Sequence, residues 1–364
     1  MKQLLSKVSL LSIAGMLASG VAFADIEMSN KDTGANSDNE NDFELTTSVD
    51  EEVTNSAEIE NDAEASTQTG NNDASKNTGG GEVDTGNAEI DGELENEVNS
   101  SAVAFYTAVF GDVDGEFEND TTGSNSDNRN NAEVSQTLDV DLVNGAWLLN
   151  ALGLTASSGH NDATQNTGGG EIDTGDAEIG VGIMNEINAA SGFSSGSFGD
   201  VNIEASNRMT GADSDNDNVI TVTQTIDLDV TNSASVNNDV ASSTHTGGND
   251  ANQNTGGGSV RTGDAEADTE ISNIVNSGGS GYDVNLPDVD VEVSNDTTGF
   301  NSDNMNDVQV SNTASLDVTN SADITNDVDS WSSSGGNEAN QNTGGGEVST
   351  GDSSVSFEIS NTVN

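Results

Sequence analysis

The chain lacks cysteine and has one proline, two tryptophans, two tyrosines and only seven lysine and arginine residues among its 364 residues. The absence of cysteine excludes disulfide bonds and thiolate chemistry. Because aromatic residues make up 4% and hydrophobic residues 31% of the chain, a thick globular core is not expected. The chain is instead rich in Asp and Glu (65), Asn (48) and Gly (41). Such an acidic surface repels phosphate, so binding to nucleic acids or anionic membranes is not expected.

The N-terminal segment, residues 1–24, has the layout of an export signal. Lys2 and Lys7 supply positive charge, residues 8–18 form a short apolar run, and residues 22–24 (Ala-Phe-Ala) give a small-x-small cleavage pattern. The run is too short to span a membrane stably. We therefore expect a Sec-type, Gram-negative-like signal peptide, a mature chain that begins at Asp25, and a secreted, extracellular or cell-surface location without membrane insertion. Five basic residues against 65 acidic ones would then give a net charge of −60.

Four copies of one unit make up the rest of the chain. The string Asn-Thr-Gly-Gly-Gly begins at Asn77, Asn166, Asn254 and Asn342, at spacings of 89, 88 and 88 residues, and Ser-Asp-Asn recurs at the same spacings. We expect units at residues 26–114, 115–202, 203–290 and 291–364, joined by variable linkers that the last unit lacks; one linker contains Pro287. A long, regular repeat of this kind is typical of stacked arrays.

Within each unit, hydrophobic side chains recur at every second residue. In the third unit Ile220, Val222, Ile226, Leu228 and Val230 alternate with mostly polar residues. This alternation predicts β-strands with one apolar face. We therefore predict an all-β fold, a β-solenoid (β-helix-like) built from four repeats of about 88 residues. An array of small β-sandwich units is the alternative. Disorder, which the composition alone would allow, does not account for alternation kept through four copies.

Amide side chains enter the apolar series without breaking the alternation. Gln224, Asn232 and Asn238 occupy inward positions in the third unit, as Asn312 does in the fourth. A buried amide costs a few kcal/mol unless its donors and acceptors are paired. We interpret these residues as corner or ladder positions, where each amide bonds the turning backbone or the equivalent amides above and below. The alternation is less regular in the first unit, because Glu51 occupies an inward position there.

Turns rich in Asp, Asn and Gly carry candidate cation ligands. The string Thr-Gly-x-x-Ser-Asp-Asn-x-Asn places one aspartate in each unit: Asp38, Asp127, Asp215 and Asp303. Oxygen ligands at close spacing suit Ca²⁺, so these four are the candidate calcium ligands. Residues 168–176 resemble the glycine-aspartate nonapeptide of secreted calcium-binding β-rolls, although the string occurs once per unit rather than in tandem. The alternative is that Asp, Asn and Gly serve the turns and that the charge maintains solubility.

No sequence pattern assembles an active site. His160 and His245 are the only histidines, and alignment through Asn161 and Asn249 places them at different points of their units, which argues against a shared site. Neither has a Cys or His partner at zinc-ligand spacing, and no Gly-rich loop precedes a Lys that could hold phosphate. We therefore expect no enzymatic activity and, apart from the candidate Ca²⁺, no cofactor.

The string Asn-x-Ala-x-Gln-Asn at residues 161–166, 249–254 and 337–342 resembles an element of the curlin repeats of secreted bacterial biofilm fibres. Together with the Asn/Gly-rich repeat, it suggests a secreted structural or adhesive protein of the bacterial cell surface or biofilm matrix, capable of assembling into fibres. Its expected partners are further copies of the chain, joined end to end or laterally, cell-surface components and divalent cations.

Two alternatives for the function remain open at this point. The first is an acidic, Ca²⁺-binding extracellular matrix protein, because the acidic charge attracts cations and opposes assembly unless it is screened. The less favoured one is an ice-binding solenoid, suggested by the Thr-x-Thr-x-Thr row at residues 221–225.

Overall fold

The computed structural model describes residues 2–10, 25–99, 111–189, 193–194, 198–277, 282–283, 286 and 288–363. Within these ranges the chain forms strands and turns, and no helix there is long and apolar enough to span a membrane. The strands in chain order are β1 (Lys2–Leu10), β2 (Ile26–Lys31), β3 (Asp38–Gln68), β4 (Gly81–Thr85), β5 (Ala88–Val98), β6 (Val113–Asp120), β7 (Asp127–Ser157), β8 (Gly170–Thr174), β9 (Ala177–Ile187), β10 (Phe193–Ser194), β11 (Val201–Arg208), β12 (Asp215–His245), β13 (Gly258–Thr262), β14 (Ala265–Val275), β15 (Tyr282–Asp283), β16 (Val289–Asp296), β17 (Asp303–Ser333), β18 (Gly346–Ser349) and β19 (Ser353–Val363).

Each unit forms one coil of a solenoid, and successive coils stack in register. Asp127, for example, pairs with Asp38 of the coil before it and with Asp215 of the coil after it. This stacking produces four parallel sheets with one strand from each unit: the opening sheet (β2, β6, β11, β16), the long sheet (β3, β7, β12, β17), the short sheet (β4, β8, β13, β18) and the closing sheet (β5, β9, β14, β19). The closing sheet has β1 as a fifth strand, and β10 and β15 form a separate two-stranded parallel sheet. The predicted β-solenoid of four repeats is confirmed.

The long sheet determines the dimensions of the coil. Each of its strands has 31 residues, which at about 3.3 Å per residue makes a strand about 100 Å long. Burial along β12 alternates from end to end, so one face of the sheet is apolar and the other is solvated. The opening sheet covers the start of the apolar face, the closing sheet covers its last part, and Phe198 of a linker packs on Leu138 and Val140 in the middle.

The core is a thin two-layered seam that runs through all the coils. Residues at equivalent positions of successive units, which we call a column, pack on one another: Val134 lies with Val222, and Phe117 faces them from the opening sheet. The same holds for Ile183 and Ile271, which pair in register and are buried between the long and closing sheets. Because each cluster contains residues of several units, the units are coils of one fold, which excludes an array of separate sandwiches.

The inward amides form ladders of hydrogen bonds along the columns. The amides of Asn144 and Asn232 are joined at 2.8 Å, and Asn150 is joined to Asn238 at 2.7 Å. The prediction that these amides form ladders is therefore correct. The prediction that they lie at corners is wrong for these positions, because both columns lie inside an unbroken 31-residue strand. An amide that is satisfied by its stacked neighbours needs no turn beside it.

The repeating units begin close to the predicted limits, and β1 of the N-terminal segment lies along the first closing strand. The first strands of the second, third and fourth units begin at Val113, Val201 and Val289, two residues before the expected unit limits. The segment β1 pairs with β5 at the edge that a preceding unit would occupy. Residues 11–24, most linker residues and Pro287 lie outside the described residues, and the export signal stays a prediction.

Candidate functional site

The four aspartates predicted to bind calcium are brought together in one column. Asp38, Asp127, Asp215 and Asp303 are the first residues of the four long strands, they are exposed, and they pair in register. Adjacent strands lie about 4.8 Å apart, so the column is a row of closely spaced carboxylates. Among the described residues, no group of three or more His, Asp or Glu side chains is placed to hold a metal ion. Specific calcium binding by this column stays a prediction.

The residues next to each of these aspartates have structural roles of their own. In the second unit Asn125 has φ 55°, a left-handed conformation that Asn tolerates well. The Ser126 hydroxyl donates to the Gly123 carbonyl at 2.6 Å and closes the turn. Asn128 is buried and donates to Asn216 at 2.8 Å in an amide ladder. Most of the Ser-Asp-Asn string is therefore explained by the turn and the ladder, which leaves only the aspartate free to face a ligand.

The glycine strings allow the backbones of neighbouring turns to approach closely. A side chain at Gly168 would place its Cβ 2.3 Å from the Gly79 carbonyl oxygen of the preceding coil, and one at Gly170 would place its Cβ 2.4 Å from the Asn254 amide nitrogen of the following coil. Such contacts are too short for any residue except glycine. Close stacking of turns therefore accounts for the glycines that resemble a calcium β-roll.

Carboxylates on the outer face of the long sheet stand in columns of like charge. Asp139 pairs in register with Asp50 and Asp227, and Asp229 pairs with Asp141 and Asp317. Burial raises the pKa of Asp139, and Asp141, Asp227 and Asp50 raise it further. Burial and neighbouring carboxylates raise the pKa of Asp229 in the same way. Stacking in register therefore concentrates negative charge that the sequence alone distributes along the chain.

The two histidines meet in the structure, and the sequence argument that separated them is wrong. The rings of His160 and His245 lie 4.4 Å apart between centroids, and Trp331 stacks on His245 at 5.7 Å. His245 ends a long strand, whereas His160 lies in the turn that follows the equivalent strand of the previous coil, with φ 64°. The turn of one coil stacks on the turn of the next, with the His160 amide donating to the Gly247 carbonyl at 3.0 Å, so side chains a few residues apart in alignment can touch. Single-unit alignment cannot detect such a contact.

The environment of this aromatic cluster makes His245 a weak base. Burial lowers the pKa of His245, and His160 lowers it further, while the backbone of Gly247 and Ser333 acts in the opposite direction. A neutral imidazole between two aromatic rings contributes packing at the end of the long sheet. With two histidines and no third ligand beside them in the described ranges, the cluster does not form a metal centre.

Comparison of the chain with protein-family models, with curated proteins and with solved structures finds no match. The resemblances to curlin repeats and to calcium β-rolls therefore stay predictions.

Proposed function

We propose that this chain is a secreted structural repeat protein of the bacterial cell surface or biofilm matrix. The observation that supports the proposal best is the continuity of the solenoid, in which the columns of one coil continue in register through the others. Near-identical coils extend a scaffold, whereas an active centre needs groups that differ and converge. The repeated architecture supplies a rigid acidic rod.

The distribution of polar groups supports an extracellular, solvent-exposed rod. Inward positions of the long sheet carry apolar side chains and paired amides, while the outward positions carry most of the carboxylates. A net charge far from zero keeps a protein soluble and resists uncontrolled association. The described core clusters consist of hydrophobic side chains, and the chain has no cysteine that oxidation outside the cell could modify.

Localisation in the native organism tests this proposal. An antibody raised against the folded chain should label intact cells or the extracellular matrix, and the extracted protein should begin at Asp25. A cytoplasmic protein of known abundance serves as the control for cell lysis. Recovery of the chain in the cytoplasm with its N-terminal segment intact would contradict the proposal.

An acidic, Ca²⁺-binding matrix protein is a second candidate, favoured by the aligned column of Asp38, Asp127, Asp215 and Asp303. Calorimetric titration with Ca²⁺ should then show saturable binding at one or two sites per unit, which Asp127→Asn and Asp215→Asn together should reduce. Asp239→Asn, a change elsewhere on the outer face, is the matched control. A featureless screening curve that is the same for all variants would reject specific calcium sites.

A further inference from the structure

We propose that the coil of the fourth unit binds the coil of the first unit of a second copy, head to tail and in register, so that chains continue one another's columns. This inference rests on the proposed structural function and names the partner and the two surfaces. We call the outer side of unit 4 the trailing face and the outer side of unit 1 the leading face.

The trailing face exposes residues whose equivalents are buried elsewhere. Val310 and Phe357 are 48% and 64% exposed, whereas Val222 and Thr269, the equivalent residues of unit 3, are fully buried. The other apolar residues exposed in unit 4 at inward positions of the long, short and closing sheets are Val308, Leu316, Val318, Val348, Val355, Ile359 and Val363. These residues form an apolar seam that follows the two layers of the core, so the surface that fits it is another coil.

The leading face has a cavity at the position where the trailing face exposes the Phe357 side chain. A cavity of about 210 Å³ is lined by Ala63, Gly92, Leu94, Leu152 and Leu154, among others. Among the side chains and backbone that the structure describes, a Cβ built on Gly92 would meet one atom within 4 Å, at 3.9 Å, so the missing side chain at this position contributes to the cavity.

The Phe357 side chain and the cavity share one column. Gly92 pairs with Val181, which pairs with Thr269, which pairs with Phe357. In a head-to-tail stack the Phe357 ring therefore arrives beside Gly92 of the next copy, where there is room for it.

The amide ladders give the stack its direction. In each asparagine ladder of the long and closing sheets the side-chain nitrogen of one unit donates to the side-chain oxygen of the following unit, as in Asn61 to Asn150 to Asn238 to Asn326. Within the described residues, the side-chain oxygens of Asn55 and Asn61 on the leading face therefore accept from no preceding coil, and the side-chain nitrogens of Asn320 and Asn326 on the trailing face donate to no following coil. Head-to-tail contact pairs donors with acceptors, whereas contact between two like faces does not.

The backbone edges of the two faces also correspond. The long strands β3 and β17 both have 31 residues, and the closing strands β5 and β19 both have 11. In the full chain β1 lies along β5, with Leu4 paired to Gly92. Residues 2–10 and a second copy's β19 would therefore compete for one edge, and removal of the N-terminal segment would free it.

Charge opposes this contact and makes it dependent on salt. At the junction, Asp303 of one copy would lie beside Asp38 of the next, and the apolar Leu316 would lie against Glu51. Asp296 of one copy would lie beside Lys31 of the next, which is one pair of opposite charges. At about 1 M salt the Debye length falls to about 3 Å, so repulsion between the carboxylate columns is largely screened and the apolar seam can pair.

A pair of complementary variants tests the proposal. Phe357→Glu places a carboxylate on the trailing face and leaves the leading face unchanged. Gly92→Glu places a carboxylate in the cavity of the leading face and leaves the trailing face unchanged. Both are made in the chain that begins at Asp25, a cut that leaves all strands of unit 1 complete. Masses are measured by analytical ultracentrifugation in about 1 M NaCl. The unmodified chain should form open-ended oligomers, each variant alone should be monomeric, and a 1:1 mixture of the two variants should give a dimer and nothing larger.

Controls separate assembly from folding and from function. Gly182→Glu, on the outer face of β9 where a Cβ meets nothing within 4 Å, should assemble like the unmodified chain. Circular dichroism should show the same strand content for all variants. A monomeric unmodified chain, or a variant mixture that remains monomeric while the unmodified chain assembles, would overturn the head-to-tail contact.

The full chain provides a further comparison. Because β1 occupies the edge of β5, the full chain should assemble more weakly than the chain from Asp25. Equal assembly of the two would remove β1 from the proposal. A monomeric chain that is still found in the extracellular matrix would leave the proposed function standing without this mode of assembly.

Discussion

At the scale of single residues, buried amides take the place that aliphatic side chains hold in other β-cores. Asn150 is fully buried, donates to Asn238 at 2.7 Å and to Asn185 at 3.1 Å, and accepts from Asn61 at 2.8 Å. Its bonds thus run along a column and also across the two layers. Such a network holds the register of the coils because a slip of one residue would leave several buried amides unpaired.

We expect Asn150→Ala to lower the free energy of unfolding by about 2–4 kcal/mol, because each buried partner left unpaired costs about 1–3 kcal/mol. Denaturant titration followed by circular dichroism measures the change. Asn202→Ala, which removes an exposed amide bonded to Asp114, is the matched control and should change the free energy by less than about 0.5 kcal/mol. Equal effects of the two substitutions would show that the ladders do not stabilise the coil.

The carboxylates lead to a prediction about pH. Burial, followed by neighbouring carboxylates, raises the pKa of Asp139, Glu178, Asp217, Asp229 and Asp250 above the ordinary range. A raised pKa in the folded state means that the folded chain binds more protons than the unfolded chain just above that range, so stability falls as pH rises. The melting temperature should therefore increase as the pH is lowered from 7 toward the ordinary carboxyl range at about 4.

Thermal unfolding at several pH values checks this expectation. Asp139→Asn combined with Asp229→Asn should reduce the dependence, because two of the crowded carboxyl groups no longer titrate. Asp38→Asn, at the exposed start of a long strand, is a control that should leave most of the dependence in place. A melting temperature that falls steadily as the pH is lowered from 7 toward about 4 would contradict the account of the outer columns.

At the scale of the strand, the long strand of unit 1 carries a carboxylate at an inward position where its counterparts are aliphatic. Glu51 is half-buried and occupies the column of Val140, Leu228 and Leu316. Replacing this carboxylate with an aliphatic side chain would extend the aliphatic column into the first coil. The gain is limited because the first coil covers this position from one side only.

We expect Glu51→Val to raise the free energy of unfolding by about 1 kcal/mol, about half the value for complete burial of a valine side chain. The midpoint of denaturant unfolding measures this change in the free energy of unfolding. Glu52→Val, on the outward face of the same strand, is the control and should give no gain. Under the head-to-tail proposal the same Glu51→Val change should also reduce the salt needed for assembly, because Leu316 of the next copy would then meet an apolar residue.

At the scale of the whole molecule, the coils are interchangeable because the columns continue through them at a spacing of 88 residues from the second unit onward. Stability in such an array is the sum of similar coils and the interfaces between them. Length can therefore change by whole coils without disturbing the two-layered core, whereas a change by a part of a coil cannot be accommodated.

Deletion of residues 140–227, one whole period that joins Asp139 to Leu228, should leave a folded three-coil protein with a smaller dependence of stability on denaturant. Deletion of residues 140–226 is one residue short of the period. It should be strongly destabilised, because half of the joined long strand must turn its apolar side chains to the outer face. Circular dichroism and denaturant titration compare the two. Similar stability of both deletions would show that register does not govern the fold.

Much of this architecture could be predicted from the sequence. Alternation at Ile220 and Val222 indicated strands, and the regular spacing of Asn166 and Asn254 indicated stacked units, because side-chain period and repeat length are local properties of the chain. The inward amides Asn232 and Asn238 indicated ladders for the same reason. Secretion, calcium binding and the absence of enzymatic activity were inferred from composition and motifs, and the structure leaves them as predictions.

Only the tertiary structure decided which residues meet. Three features depend on how successive coils stack: the contact between His160 and His245, the crowding of Asp139 with Asp227, and the cavity at Gly92 in the column of the exposed Phe357. The length of the long strand was also undecided, because alternation through Asn144 is the same whether a corner or a straight strand follows. Local pattern determines which face a side chain takes, and the stacking of distant segments determines what that face touches.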